Sequence, residues 1–454
     1  GHPPRHILLR AATVLAVLSP ETGAVGDRDP AREESVMDHA ERRRARLAQL
    51  LDLAQNYKGW TRKELAKALG RDPTKLIPGS GVPKLDLVVD LAGVLDWPVG
   101  DVVDLLWIDG EVRSRRRPAA PAAALTFDEL NEQSKEAHRA GRYADMISLA
   151  RRMEREAESA DDVALACNRQ AGGWDGLGRF TKVLSCVQRG LSEGPLSAPR
   201  RAMLEANLAN AHYTLWHLVE ARSTAAGLIE RAETEPQEGR THEVVHAFAH
   251  YVRGNAYRRM MDLEPGDQAR LAERASADLE RARAMYLELA DRYGDTSYAG
   301  VANTCIGGLV ELSAAAGRLE PLAALERIST GLDAAIDLEA IGSGDWIESW
   351  GWWCIFGCNI ALRHVQNERT LQQYMAVFTN KAQEIADHLD NWAMRERVFT
   401  MEYARRQRFQ DWTGIASEWT IDQDDVRVVT GTMGRFPAFR ETGWEILQTA
   451  KVIR

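Results

Sequence analysis

Apolar residues recur through most of the chain at intervals of three and four, the spacing that lines one face of an α-helix. The first run covers residues 41–57, with Leu47, Leu50, Leu51 and Ala54 in step. Thr61 and Glu64, three apart, form a capping-box pattern. It opens a second helix that turns Leu65, Ala68 and Leu69 inward and Arg62, Lys63 and Lys67 outward. Gly70 supplies a left-handed stop. Asp72 and Pro73 start a third helix, Pro73 to Ile77, which Pro78 and Gly79 end at once because proline lacks the amide a helix needs. Pro83 to Ala92 and Val99 to Trp107 complete a small domain of five helices over residues 37–110, preceded by an extension over 1–36.

Residues 111–124 break the pattern. They carry two prolines and nothing to bury, and read as a basic linker. The cluster Arg113 to Arg117 suits either contact with phosphate or a solvated hinge.

From Leu125 a longer period appears. Leu130, Ala137, Gly141, Tyr143, Ala150 and Met153 describe a helix, a tight turn and a packing helix. The layout returns in Cys167, Ala171, Trp174, Gly178, Phe180 and Val183, and again in Leu208, Ala209, His212, Leu218, Ala221, Ala225 and Leu228. Turn positions 141, 178 and 216 lie 37 and 38 apart, and later ones near 261 and 317 spread to 45 and 56. The repeats are assigned to residues 125–410 and C-terminal capping helices to 411–454, split by Gly434 to Pro437; Val426 to Thr430 also fits a strand. Eight of the thirteen tryptophans fall from Trp346 onward, and Trp346, Trp350 and Trp353 share one helix face, as either a core seam or an aromatic pocket.

Charge divides the chain. The net charge is −9, yet residues 41–84 hold eleven Lys or Arg against four acids, a local +7. A basic head on an acidic remainder is a nucleic-acid footprint confined to one domain. Five scattered cysteines (Cys167, Cys186, Cys305, Cys354, Cys358) sit in apolar helical patterns, which predicts buried thiols and a cytoplasmic protein. Cys354 and Cys358 share a helix face, but no second Cys or His pair at zinc-finger spacing accompanies them. No run is long enough to span a membrane, and Arg10 interrupts the apolar stretch 7–18 that would otherwise suggest a signal peptide.

The order of helices and turns over residues 59–106 resembles the lambda-repressor-like helix-turn-helix. That resemblance implies that Arg71, Thr74 and Lys75 face base edges. It also implies that Arg62, Lys63, Lys67 and Lys84, with Arg42 to Arg46, hold phosphates. The stretch between Pro78 and Pro83 is about three residues shorter than in that family, so a degenerate head used for protein contact is the competing reading. The region from 125 resembles tetratricopeptide repeats, which implies a right-handed α-solenoid. Its groove positions are Asn168, Arg169, Asn207, Asn210, Asn255, Arg258 and Arg259, suited to a peptide backbone and a carboxylate end.

One further motif stands out. His242-Glu243-Val244-Val245-His246 is a literal His-Glu-x-x-His, which on a helix can hold zinc with the Glu as base, and His250 extends the stripe. No third histidine follows at metzincin spacing; Glu273 or Glu280 could supply a third, carboxylate ligand, and nothing singles either out. The expectation is an all-α, non-enzymatic transcriptional regulator without a cofactor. It binds double-stranded DNA and a peptide or protein effector, as a homodimer clear of membranes. An interaction scaffold and a zinc peptidase are the alternatives.

Overall fold

A computed structural model describes residues 39–79, 83–95, 99–106, 125–235, 239–335, 344–414 and 419–452. Their regular structure is helical apart from one two-stranded sheet, and the residues up to 106 and those from 125 belong to separate compact units. The extension 1–36, Trp107 and the linker 111–124 lie outside the described residues. Among the described residues no helix is long and apolar enough to cross a membrane.

The head contains α1 (His39–Lys58), α2 (Arg62–Ala68), α3 (Leu85–Leu95) and α4 (Val99–Leu106). Leu47, Leu51, Leu65, Leu69, Leu87, Leu91 and Val102 fill its core. The capping box of α2 forms as the sequence predicts: the Thr61 hydroxyl accepts from the Glu64 amide, and the Thr61 amide donates to the Glu64 carboxylate at 2.8 Å. Ala66, rather than Ala68, faces inward.

The expected helix at Pro73 to Ile77 is absent; these residues form turns and bends, so the described head has four helices instead of five. Asp72 explains the difference. Its carboxylate accepts from the Thr74 amide at 2.8 Å and the Thr74 hydroxyl at 2.5 Å, and its carbonyl accepts from the Lys75 amide. That local turn competes with helix. Pro78 removes the donor that a further turn of helix would need. Leu76 still reaches the core and anchors the loop.

The second unit is a succession of helix pairs. They are α5 (Phe127–Arg139) with α6 (Tyr143–Arg155), α7 (Ala160–Gly176) with α8 (Phe180–Ser192), and α9 (Ala198–Thr214) with α10 (Leu218–Thr234). Then come α11 (Arg240–Leu263) with α12 (Gln268–Tyr293), α13 (Ser297–Ala315) with α14 (Pro321–Ala335), and α15 (Gly344–His364) with α16 (Glu368–His388). Helix α17 (Trp392–Thr413) leads into β1 (Trp419–Ile421), α18 (Gln423–Met433), α19 (Arg440–Thr449) and β2 (Ala450–Val452), with β1 and β2 paired in parallel. Each helix packs on its partner and on the next pair, so the apolar faces close only against neighbours. Residues 426–430 are helical, not a strand.

Four first helices end in the same way. Gly141, Gly178, Trp216 and Gly317 adopt positive φ, and the amide of the following residue reaches back to a carbonyl five positions earlier, as in Arg142 to Ala137. The turn expected near 261 is not there: Met261 is buried within α11, which runs on to Leu263.

The C-terminal segment returns to the α7–α8 turn. Phe436 packs on Phe180 with ring centroids 5.3 Å apart, and the Arg435 guanidinium donates to the Leu177 carbonyl at 3.3 Å. A Cβ on Gly178 would fall 2.8 Å from the Trp392 side chain. Gly178→Ala should therefore cost about 1–3 kcal/mol of unfolding free energy, combining left-handed strain with a clash. Gly141→Ala, at similar φ but with nothing within 4 Å, isolates the strain alone. Equal urea midpoints for the two variants would show that the Trp392 contact contributes nothing.

Candidate effector cavity and cationic head

A cavity of about 80 Å³, partly open to solvent, lies among the first helices of successive pairs. Water needs roughly 10–15 Å³ by the same measure, so the space takes a few waters or one small functional group. Asn210 on α9 and Asn255, Arg258 and Arg259 on α11 line it, as the groove reading expects.

The remaining groove candidates do not line it. The Asn207 amide donates to the Asn168 carboxamide oxygen at 2.7 Å, and Arg169 Nε donates to Asn131 at 2.9 Å. All three are buried and tie α5, α7 and α9 together. Their hydrogen bonds run between repeats and not into the cavity.

Arg258 and Arg259 are neighbours in sequence with opposite surroundings. Arg258 donates to the Glu311 carboxylate at 2.8 Å and to Asn255 at 3.1 Å, and its guanidinium lies 4.5 Å over the Phe356 ring. Glu311 is 0% exposed and also receives Arg363 at 2.6 Å and Asn359 at 3.1 Å. Burial alone pushes the Glu311 carboxyl up, but the two guanidinium groups outweigh it and hold the carboxyl below its ordinary range.

Arg259 is 6% exposed and makes no ion pair among the described residues. It donates to the Tyr213 carbonyl at 2.9 Å and lies 3.9 Å over the Tyr213 ring and 4.4 Å over the Trp216 ring. Arg397, also buried, stacks on the same Trp216 at 4.8 Å. Burial, with the Arg397 and Arg258 charges nearby, lowers the Arg259 pKa to about 10. The facing wall holds Asp345, Glu348 and Trp352. Burial and the neighbouring carboxylates Glu348 and Asp295 raise Asp345 to about 9, so it is a neutral donor at pH 7. Glu348 accepts from Trp352 at 3.2 Å and from Asn391 at 2.9 Å. The cavity thus presents a buried cation to one side and carboxyls with carboxamides to the other.

Tyr213, Trp216, Asp345, Glu348 and Arg397 join the site without having been expected from the sequence. Trp216 had a visible signal, since it occupies a turn position that glycine fills in the other repeats. The tryptophan stripe is core: Trp350 and Trp353 are buried with rings 4.7 Å apart, and Trp353 donates to the Asn303 carbonyl at 2.8 Å. Trp346 remains partly exposed. All five cysteines are buried free thiols, and burial pushes Cys354 and Cys358 well up, away from the thiolate a metal would need.

In the head, Arg62, Lys63, Lys67, Thr74, Lys75 and Lys84 are exposed. Arg62 also donates to the Pro73 carbonyl at 3.2 Å, and the Thr74 hydroxyl is held by Asp72. Arg71, expected at a base edge, is half-buried and paired with Asp86 at 2.6 Å. Without a helix at 73–77, no helical N-terminus aims Arg71, Thr74 or Lys75 together.

His242, Glu243 and His246 border a second cavity of about 330 Å³ between α9, α10, α11 and α12. Glu243 pairs with Arg292 at 2.8 Å and accepts from Tyr293 at 3.1 Å, so it is not a free base. Glu273 and Glu280 are exposed and do not join the histidines. Among the described residues the zinc-peptidase arrangement is therefore not assembled. Set against models of known protein families the chain matches none, and no curated protein matches it.

Proposed function

We propose that this chain is a DNA-binding regulator whose paired-helix body receives a peptide or protein effector through a carboxylate end. The observation that carries the reading is Arg259, a buried guanidinium with no ion-pair partner among the described residues, opening on a polar cavity. A buried charge is tolerated only when paired or hydrogen-bonded, and this one is satisfied by a single carbonyl and two rings. A carboxylate complements it, and Asn210, Asn255 and neutral Asp345 offer donors around it; the nearby Arg397 is already paired with Glu396 at 3.8 Å. The cavity admits the carboxylate end alone, leaving the rest of the effector outside. The succession of helix pairs with recurrent left-handed turns supports a tetratricopeptide-like solenoid for the body.

The head supports DNA contact through charge. Arg62, Lys63 and Lys67 are exposed on α2, with Lys75 and Lys84 beside them in sequence order. With 73–77 irregular, we assign these residues to phosphates and not to base edges. A homodimer would present two such heads to one duplex. A second reading, a scaffold with a degenerate head, draws on the Arg71–Asp86 pair and the missing helix.

The effector half is tested by calorimetric titration of the whole chain with mixed short peptides, carrying either free or amidated C-termini. Saturable binding confined to free carboxylates is expected. Equal binding of amidated peptides, or none of either, contradicts it.

A further inference from the structure

The histidine stripe on α11 is used in a register other than the one its motif suggests. His246 and His250 stand one helical turn apart, with ring centroids at 5.2 Å, and Glu233 near the end of α10 reaches the same point. One ligand atom from each of the three lies within 4.8 Å of the others. Zinc holds such ligands at roughly 2.0–2.2 Å.

The polar bookkeeping points the same way. His250 is 6% exposed; its Nδ1 faces Asp278 at 2.8 Å, while its Nε2 is sealed from water without a partner. The Nε2 of His246 is likewise buried and unpartnered. Asp278 is fixed by two bonds from Arg253, Nε at 2.8 Å and the terminal nitrogen at 2.7 Å. An acceptor held in that way makes Nδ1 of His250 the donor and leaves the lone pair on the buried, unpartnered Nε2. A carboxylate that orients a histidine whose other nitrogen binds metal is a recurrent second-layer arrangement.

We propose that Glu233, His246 and His250 form a mononuclear site for a borderline divalent cation of the Zn²⁺ class, oriented by Asp278. Two imidazoles and one carboxylate select such a cation over magnesium or calcium. The cation joins α10 to α11, and its remaining position takes water on the side of the 330 Å³ cavity that His246 borders. His242 and Glu243, the other halves of the sequence motif, are not ligands.

The test is titration of the tag-free whole chain with Co²⁺ and then Zn²⁺, read by visible absorption and by competition with a chelating dye. One Co²⁺ per chain with intense d–d bands, displaced by Zn²⁺, is expected. His246→Ala should abolish the bands. Glu233→Gln, at an exposed position where the fold is safe, should weaken binding strongly. Asp278→Asn should weaken it about 10- to 100-fold, and His242→Ala should leave it unchanged. The absence of saturable binding, wild-type affinity in Glu233→Gln, or equal losses in His242→Ala and His246→Ala would each overturn the assignment.

Discussion

Glu311→Ala lowers the stability of the helical body by about 3–5 kcal/mol, the largest single effect we expect. The carboxylate is wholly enclosed and neutralises Arg258 and Arg363 from α11 and α15 at once. Its removal leaves two guanidinium groups facing each other in a dry interior. Arg363 keeps its ion pair with Asp262, at 2.8 Å, whereas Arg258 keeps the Asn255 hydrogen bond and the Phe356 ring but no paired carboxylate. Adding Arg258→Met to Glu311→Ala should therefore recover part of the loss, because an apolar chain of similar length removes the stranded charge. The acid limb follows the same logic. The folded-state pKa of Glu311 lies below its ordinary value, so its contribution is complete above about pH 4.3 and is lost as pH falls through the folded-state value. Urea midpoints of the three proteins at neutral pH check the claim; a shift worth less than about 1 kcal/mol for Glu311→Ala contradicts it.

Arg259→Gln separates function from scaffolding. Losing one partner of a desolvated charge pair typically costs 2–5 kcal/mol of binding, so affinity for a carboxylate-ended peptide should fall about 30- to 5,000-fold. The free protein should not weaken in parallel. Burial of Arg259, with repulsion from Arg397 and Arg258, outweighs its attraction to Tyr213 and Glu396, so its removal relieves a net cost. Binding lost while the urea midpoint holds or rises is the expected pattern. Binding and stability falling together would mean that Arg259 merely props the α9–α11 contact.

Much of this architecture is legible along the chain. The capping box at Thr61 and the turns at 141, 178, 216 and 317 follow from local rules, because a helix stop needs only a few neighbouring residues. The turn near 261 failed since burial of Met260 and Met261 against the core outweighs any local preference to stop. The helix at 73–77 failed to a short-range competitor, the Asp72 side chain. Asn168 and Asn207 pointed to the groove by position alone, yet they satisfy each other between repeats. The facing wall of the cavity, Asp345 and Glu348, comes from a helix more than eighty residues away from Arg259, a distance that periodicity does not bridge. The three-residue strands β1 and β2 are too short to leave a pattern at all.

The central claim is that the basic head holds duplex DNA. Fluorescence anisotropy of a labelled duplex titrated with the intact chain, from 50 to 200 mM salt, tests it most directly. The account predicts an association constant falling linearly on logarithmic axes. The slope should shrink by about 2.7 in the triple variant Arg62→Ala, Lys63→Ala, Lys67→Ala, so that wild type loses about 40-fold more affinity than the variant over that range. No binding at the lowest salt, or identical slopes for the two proteins, contradicts it.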